Sequence, residues 1–309
     1  MTKIIVGRLL QLIPVLWINL TLTFFMSKEV PGGPFSAERQ ATPEVIARLN
    51  AYYGLDKPLW EQYLRYLGKF VRFDLGPSYT YQSESVNEVI ARSFPISLQI
   101  GTLAFAIASV LGITAGVIAA ANKNKLWDYF PMSLSMLGIC LPTFVLGPIL
   151  ALFFGLVLKL APVSGWYGLN YVPFHPMIMP AVTLGLFYAA YIARLTRGGM
   201  LDILNQDFIR TARAKGVRDH EIILKHALRG GLLPVVAFLG PAFAGLLSGS
   251  FVVEKVFNVP GIGQEFIKSV FNRDYPLVLG TVAFFGVLIV VFNLASDILQ
   301  ALMDPKTRK

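Results

Sequence analysis

The sequence holds few residues able to do acid–base, nucleophilic or metal chemistry, and their spacing decides what they can do. Two of the three histidines sit in "HEIILKH", residues 220–226. A zinc-protease helix needs H-E-x-x-H, with histidines at i and i+4 on one face beside a general-base glutamate. Here His220 and His226 are six apart, which on an α-helix separates them by about 240°, so they face away from each other. In "PGIGQEF", Gly261 and Gly263 lack the third glycine and the preceding strand of a dinucleotide site. No G-x-x-x-x-G-K-[ST] string occurs, so the chain has no phosphate-cradling loop of its own. The single cysteine, Cys140, lies in an apolar run as a buried, inert thiol, and no disulfide can form within the chain. The expectation is a protein that is not an enzyme by itself and holds no metal or cofactor.

The elements that must position these residues are overwhelmingly apolar. Of 309 residues, 55% are hydrophobic and 15% charged, with a mean hydropathy of +0.60; soluble domains carry roughly a quarter charged residues. A hydrocarbon core of about 30 Å takes roughly 20 apolar residues per helix. Six segments qualify: about Leu9–Met26, Leu98–Ala121, Tyr129–Leu158, Met177–Ile192, Leu232–Val253 and Leu277–Ser296. The first has the outline of a signal peptide, but its apolar run is long and no A-x-A-like site follows. It is expected to be a retained helix. The fold class is an all-α integral membrane protein with six transmembrane helices and a small helical extracytoplasmic insert.

Charge placement sets the orientation. With the N-terminus inside, segments 1–8, 122–128, 194–231 and 303–309 hold 15 basic and 6 acidic residues. The outer segments 27–96, 158–176 and 254–276 hold 12 basic and 11 acidic residues. The formal charge of +9 is therefore a topology signal with both termini cytoplasmic, and no nucleic-acid partner is needed to explain it. None of the six spans contains Asp, Glu, Lys or Arg. Ion-coupled transporters commonly hold ionisable groups near the midplane, so energy for moving a solute is expected to enter from outside this chain.

The outer insert, residues 29–96, is expected to form short amphipathic helices. Thr42 and Pro43 start one and Gly54 stops it. Leu59, Tyr63, Leu67 and Phe70 recur at helical spacing, and Ser85 with Glu88 makes a capping box. In the spans, Pro14, Pro142, Pro148, Pro180, Pro234 and Pro241 are breakers, and the pairs Gly112/Gly116 and Gly245/Gly249 allow close helix approach.

The remaining anomaly is "RTARAKGVRDHEIILKHALRGG", residues 210–231, with six Lys/Arg between apolar runs. Asp207 is expected to cap a helix "FIRTARAK" that Gly216 ends, and Asp219 to cap "HEIILKHALR", stopped by Gly230. Eight residues give about 12 Å, or two turns. Positive-inside decoration of an ordinary loop would explain the charge alone. A capped, slim helix with a glycine stop fits docking into a partner's groove.

This stretch resembles the cytoplasmic loop of bacterial ABC importer permeases, whose general signature is E-A-A-x-x-x-G. Aligned on Gly216, the signature falls on Arg210-Thr211-Ala212, so its Glu and first Ala are replaced. The family's later Leu-Pro falls on Leu228-Arg229. The B-type permease subunits of dipeptide, oligopeptide and nickel importers resemble this chain in "RTARAKG", "HALRGGLLPV", "VEKVFNVPGIGQ", "FNRDYPLV" and "LMDPKTR". "PGGPFSAER", "YGLDKP" and "FDLGPSY" look most like the oligopeptide importer's B subunit. The resemblance implies a type I ABC importer permease fold in the bacterial inner membrane, arranged as an N-terminal helix (1–28), an extracytoplasmic insert (29–96) and a permease core (97–309). It implies a second, C-type permease subunit, two cytoplasmic ATPases carrying ATP and Mg, an extracytoplasmic peptide-binding protein and a peptide substrate. Arg210, Thr211, Ala212, Arg213, Ala214, Lys215 and Gly216 would form the ATPase-coupling segment.

Overall fold

The computed structural model describes residues 2–29, 44, 47, 51–81, 83–166, 173–248 and 251–303. In chain order its helices are α1 (Thr2–Glu29), α2 (Leu59–Phe70), α3 (Val86–Ala121), α4 (Leu126–Cys140), α5 (Thr143–Leu150), α6 (Ile178–Leu204), α7 (Asp207–Ala214), α8 (Asp219–Glu221), α9 (Leu228–Gly231), α10 (Leu233–Ser248), α11 (Phe251–Val256), α12 (Ile262–Phe271) and α13 (Tyr275–Met303). Two segments, Ala151–Val157 and Ile222–Ala227, are π-helical. Among the described residues the one strand-like pairing is a bridge between Pro77 and Ser85, so the fold is all-α as expected.

Among the described residues, four runs are long and apolar enough to cross a membrane alone: Val86–Ala121, Ile178–Leu204, Leu233–Val256 and Tyr275–Leu302. α1 adds 28 residues, with no charge from Leu9 to Ser27, and is about 42 Å long. The third expected span, Tyr129–Leu158, is not a straight helix. α4 ends at Cys140, and the helix from Thr143 to Val157 leaves it at 107°. Pro142 causes the break, because it lacks an N–H and disfavours helical geometry in the residue before it. Leu141 is extended, with φ −83° and ψ 116°. With α1 and the bent pair each taken as one crossing, the count is six.

The second span starts earlier than expected for a local reason, and the fourth runs on through "ARLTRGGM". α3 begins at Val86 because Ser85 and Glu88 form the capping box: Glu88 N–H donates to Ser85 Oγ at 3.3 Å, and Ser85 N–H to Glu88 Oε2 at 2.7 Å. α6 continues past Ile192 to Leu204 and carries Arg194 and Arg197 with it.

α3 lies along α6 with almost no space between the backbones. A Cβ on Gly112 would sit 2.7 Å from Ile192, one on Gly116 would sit 2.6 Å from the Ala193 carbonyl, and one on Gly185 would sit 2.9 Å from the Ala104 carbonyl. Small residues let membrane helices approach in this way. Gly245 packs against Tyr188, whereas Gly249 lies outside the described residues. A core of Ile100, Ala104, Leu184, Leu246, Val253 and Phe257 joins α3, α6, α10 and α11. Ser296 Oγ on α13 donates to the Val236 carbonyl at 2.8 Å, which pins α13 to α10. Cys140, expected to be buried, is exposed, because the α4 end leaves it on the outside of the bundle.

At the face where α1 ends, the far face, α2 packs on the last turns of α1. Thr21 Oγ1 and Tyr63 Oη lie 2.6 Å apart, Phe24 contacts the rings of Tyr63 and Tyr66, and Lys28 Nζ donates to Gln62 Oε1 at 2.8 Å. Gly54 takes φ +62°, as a helix stop requires. The Thr42–Pro43 start lies outside the described residues.

Candidate functional site

The near face, where α1 begins, carries the basic insert. α7 spans eight residues and ends in a Schellman motif: Gly216 has φ +78°, Gly216 N–H donates to the Arg213 carbonyl at 2.9 Å, and Val217 N–H to the Ala212 carbonyl at 3.2 Å. That closure needs a left-handed residue, which glycine supplies without strain. The expected start is one residue off. The N-cap is Gln206, not Asp207, and Asp207 makes no capping bond; it sits at the first helical position, where its charge favours the helix dipole. Likewise Arg218, not Asp219, is the N-cap of α8.

Ile209 is fully buried and Ala212 half-buried, so these two hold α7 down. Phe208, Arg210, Thr211, Arg213, Ala214, Lys215 and Gly216 are exposed. The ion pairs Arg210–Asp207 at 3.4 Å and Arg213–Asp219 at 3.7 Å are solvent-exposed and add little stability. What α7 offers is therefore a short, basic, fixed surface with one aromatic side chain.

The second half of the insert is not the single α-helix expected. The segment Ile222–Ala227 is π-helical, and α9 follows. The π geometry also replaces the α-helical angle between His220 and His226, both of which are exposed. Ile222 and Ala227 are fully buried, and Ala227 packs with half-buried Leu228 against Met200, Leu204 and the end of α3, while Leu224 stays exposed. α9 lies backbone-to-backbone on α6: a Cβ on Gly231 would sit 2.7 Å from Met200 Sδ, and one on Gly199 would run into the Gly231 carbonyl. Beside this contact, Arg197 on α6 grips Asp128 on α4 with two bonds of 2.6 and 2.8 Å. The end of the insert is thus packed on α6 through close backbone contact at Gly199 and Gly231.

The far face holds buried polar nodes that sequence reasoning missed. Glu254, fully buried, accepts a bond from Ser97 Oγ at 2.6 Å and from the Gln264 N–H at 2.9 Å. Ser97 Oγ in turn accepts from the Ile262 N–H at 2.9 Å. The carboxylate and hydroxyl together satisfy the start of α12, and Gly261 is glycine because a Cβ there would sit 2.5 Å from both. Asp274 plays the same part for α13. Its Oδ1 accepts from the Leu277 N–H at 3.2 Å, and its Oδ2 accepts from Ser78 Oγ and, at 2.9 Å, from the Thr80 N–H. Tyr81 Oη donates to Glu265 at 2.6 Å. The insert is thereby tied to α12 and α13. The only sequence signal was an acid placed just before, or several residues before, a proline- or glycine-marked helix start.

The site as a whole is an apolar helical bundle with membrane-length helices, buried polar nodes at the helix starts of one face and a fixed basic helix on the other. The chain belongs to the family of binding-protein-dependent transport system inner membrane components: residues 112–309 match the family, and residues 1–101 match its N-terminal component. It is 48% identical to the oligopeptide transport system permease protein OppB of Haemophilus influenzae and 47% identical to OppB of Escherichia coli, over the full length of each chain. It is 42% identical to the dipeptide transport system permease protein DppB of Bacillus subtilis, covering all of this chain and 98% of the relative. Its fold is similar to that of the inward-facing MetNI methionine ABC transporter (TM-score 0.56, 17% identity, 70% of this chain and 96% of the other). An amino acid ABC transporter structure shares the fold at TM-score 0.53 and 17% identity, over 70% of this chain and 94% of the other.

Proposed function

We propose that the chain is one of two permease subunits in an ATP-driven, binding-protein-dependent importer of oligopeptides. It lies in the bacterial cytoplasmic membrane with both termini in the cytoplasm, so the near face is cytoplasmic. A C-type permease completes the translocation path, two ATPases bind the cytoplasmic face with ATP and Mg, and a peptide-binding protein delivers substrate outside. Arg210, Thr211, Ala212, Arg213, Ala214, Lys215 and Gly216 are the coupling segment. Closure of the ATPases displaces α7, the displacement passes through Gly231 and Gly199 to α6, and the bundle rocks between outward and inward openings.

The observation that carries the coupling role is α7 itself, an exposed surface on a helix whose inner side is locked by Ile209. The substrate class is supported by the similarity to the OppB proteins. The test is Ala214→Glu, which alters the exposed side of α7 and leaves its packing alone. Co-purification of the ATPases and peptide-stimulated ATP hydrolysis should fall at least about tenfold, while the permease pair still elutes as one species. Full ATPase binding and turnover in that variant would remove α7 from the coupling role.

A further inference from the structure

α2 has more apolar surface than the protein covers. At 3.6 residues per turn its apolar side chains occupy an arc of about 160°. Tyr63 and Tyr66 lie in one half of that arc and meet Phe24 of α1. Trp60, Leu64, Leu67 and Val71 lie in the other half, within about 60° of one another. That half is open: Trp60 is 62% exposed, Leu64 56% and Val71 75%, and Phe73 just beyond the helix is 84% exposed.

Its level is fixed by α1. Tyr63 bonds Thr21, two turns before α1 ends, and Gln62 bonds Lys28 near that end. α2 therefore lies beside the last turns of a membrane-crossing helix, not above them. On the same last turns of α1, Leu22 and Met26 are also exposed. The opposite edge of α2 carries Arg65, 3.7 Å from the single acid Glu61, with Arg72 just past its end, while Lys69 on that edge turns back to donate to the Tyr52 carbonyl at 2.9 Å. An amphipathic helix lying in the membrane surface has this make-up, with its apolar side about 5–10 Å into the headgroup boundary and its basic edge at the phosphates.

A second observation names hydrocarbon as the neighbour. A groove of about 420 Å³ opens beside Phe70 and Phe73 and runs between α3 and α13, walled by Ile90, Phe94, Phe284 and Val287. Its one polar lining residue, Asn87, is already engaged with the Phe73 carbonyl at 2.8 Å and the Leu75 N–H at 3.1 Å. The groove offers an extended peptide no hydrogen bond and suits an acyl chain.

We infer that α2 is an interfacial helix seated in the leaflet at the far face, with phospholipid covering Trp60, Leu64 and Val71 and an acyl chain in the groove. The inference rests on α1 crossing the membrane, and not on what the complex transports. It is tested with the assembled complex in phospholipid vesicles, in a Cys140→Ala background. Nitroxide is placed at Leu64→Cys and, as an independent site, Val71→Cys. Collision with oxygen and with a water-soluble nickel chelate is measured. The expected result is oxygen contact several-fold above nickel contact at both sites. Strong nickel contact would place the stripe in water, and shielding from both reagents would place a protein partner on it; either result overturns the inference.

Discussion

Glu254 and Ser97 sit on different helices, 157 residues apart, joined by a 2.6 Å hydrogen bond at the buried start of α12. The carboxylate also takes the Gln264 N–H, so one side chain closes two donors that would otherwise be stranded in an apolar core. Glu254→Ala should destabilise the protein by about 2–3 kcal/mol, the range for lost bonds to a charged group plus stranded donors. Thermal unfolding of the detergent-solubilised permease measures it. Glu254→Gln should fall between wild type and alanine, because an amide oxygen replaces only one acceptor.

Asp128 and Arg197 are an asymmetric pair. The Asp128 side chain is 2% exposed and that of Arg197 30%. Removing the arginine leaves a buried carboxylate with only the Asn124 N–H, at 2.9 Å, whereas removing the aspartate frees that N–H and a guanidinium that water can reach. Arg197→Ala should therefore cost about 3 kcal/mol and Asp128→Ala only about 1–2 kcal/mol. Equal losses in thermal stability would show that burial does not govern this pair.

Adjacent glycines on α6 should respond oppositely to one added methyl. At Gly198 nothing lies within 4 Å of a Cβ, while at Gly199 the Gly231 carbonyl occupies the position. Gly198→Ala should be neutral or stabilising by about 0.5–1 kcal/mol through helix propensity. Gly199→Ala should cost about 1–3 kcal/mol as overpacking and should lower peptide-stimulated ATP hydrolysis as well. Melting curves and ATPase assays on the two variants separate these outcomes.

Gly216 closes α7 at φ +78° with open space around it, so only backbone strain opposes a side chain there. Gly216→Asn should be tolerated better than Gly216→Val, since asparagine visits the left-handed region and a β-branched residue does not. The valine variant should lose coupling, read as peptide-stimulated ATP hydrolysis in the assembled complex, while overall thermal stability falls by only about 1–2 kcal/mol, the cost of left-handed strain. Unchanged coupling with valine at 216 would mean that the end of α7 is not part of the contact.

How much of this was legible follows from the range of each interaction. The capping box at Ser85, the stop at Gly216 and the close approach at Gly112 and Gly116 involve residues a few positions apart or a helix face with fixed spacing, and sequence carries both. The break at Leu141–Pro142 was marked by its proline, but Pro95 and Pro131 sit inside helices without ending them; what neighbours satisfy decides between the two. The π-helical run Ile222–Ala227 packs its buried side on α3 and α6, a long-range contact that no local pattern encodes. Asp207 and Asp219 were one residue late as caps because a carboxylate is also favourable at the first helical position. Glu254, Ser97 and Asp274 act across 157 to 196 residues, and no spacing rule reaches so far.

The measurement that bears most directly on the proposed function is peptide uptake by proteoliposomes holding this chain, its second permease, the ATPases and the binding protein. A labelled oligopeptide should accumulate only with ATP in the ATPase-bearing compartment and be competed by unlabelled peptides of several residues. Uptake that continues without ATP, or ATP hydrolysis that never responds to peptide, would contradict the proposed function.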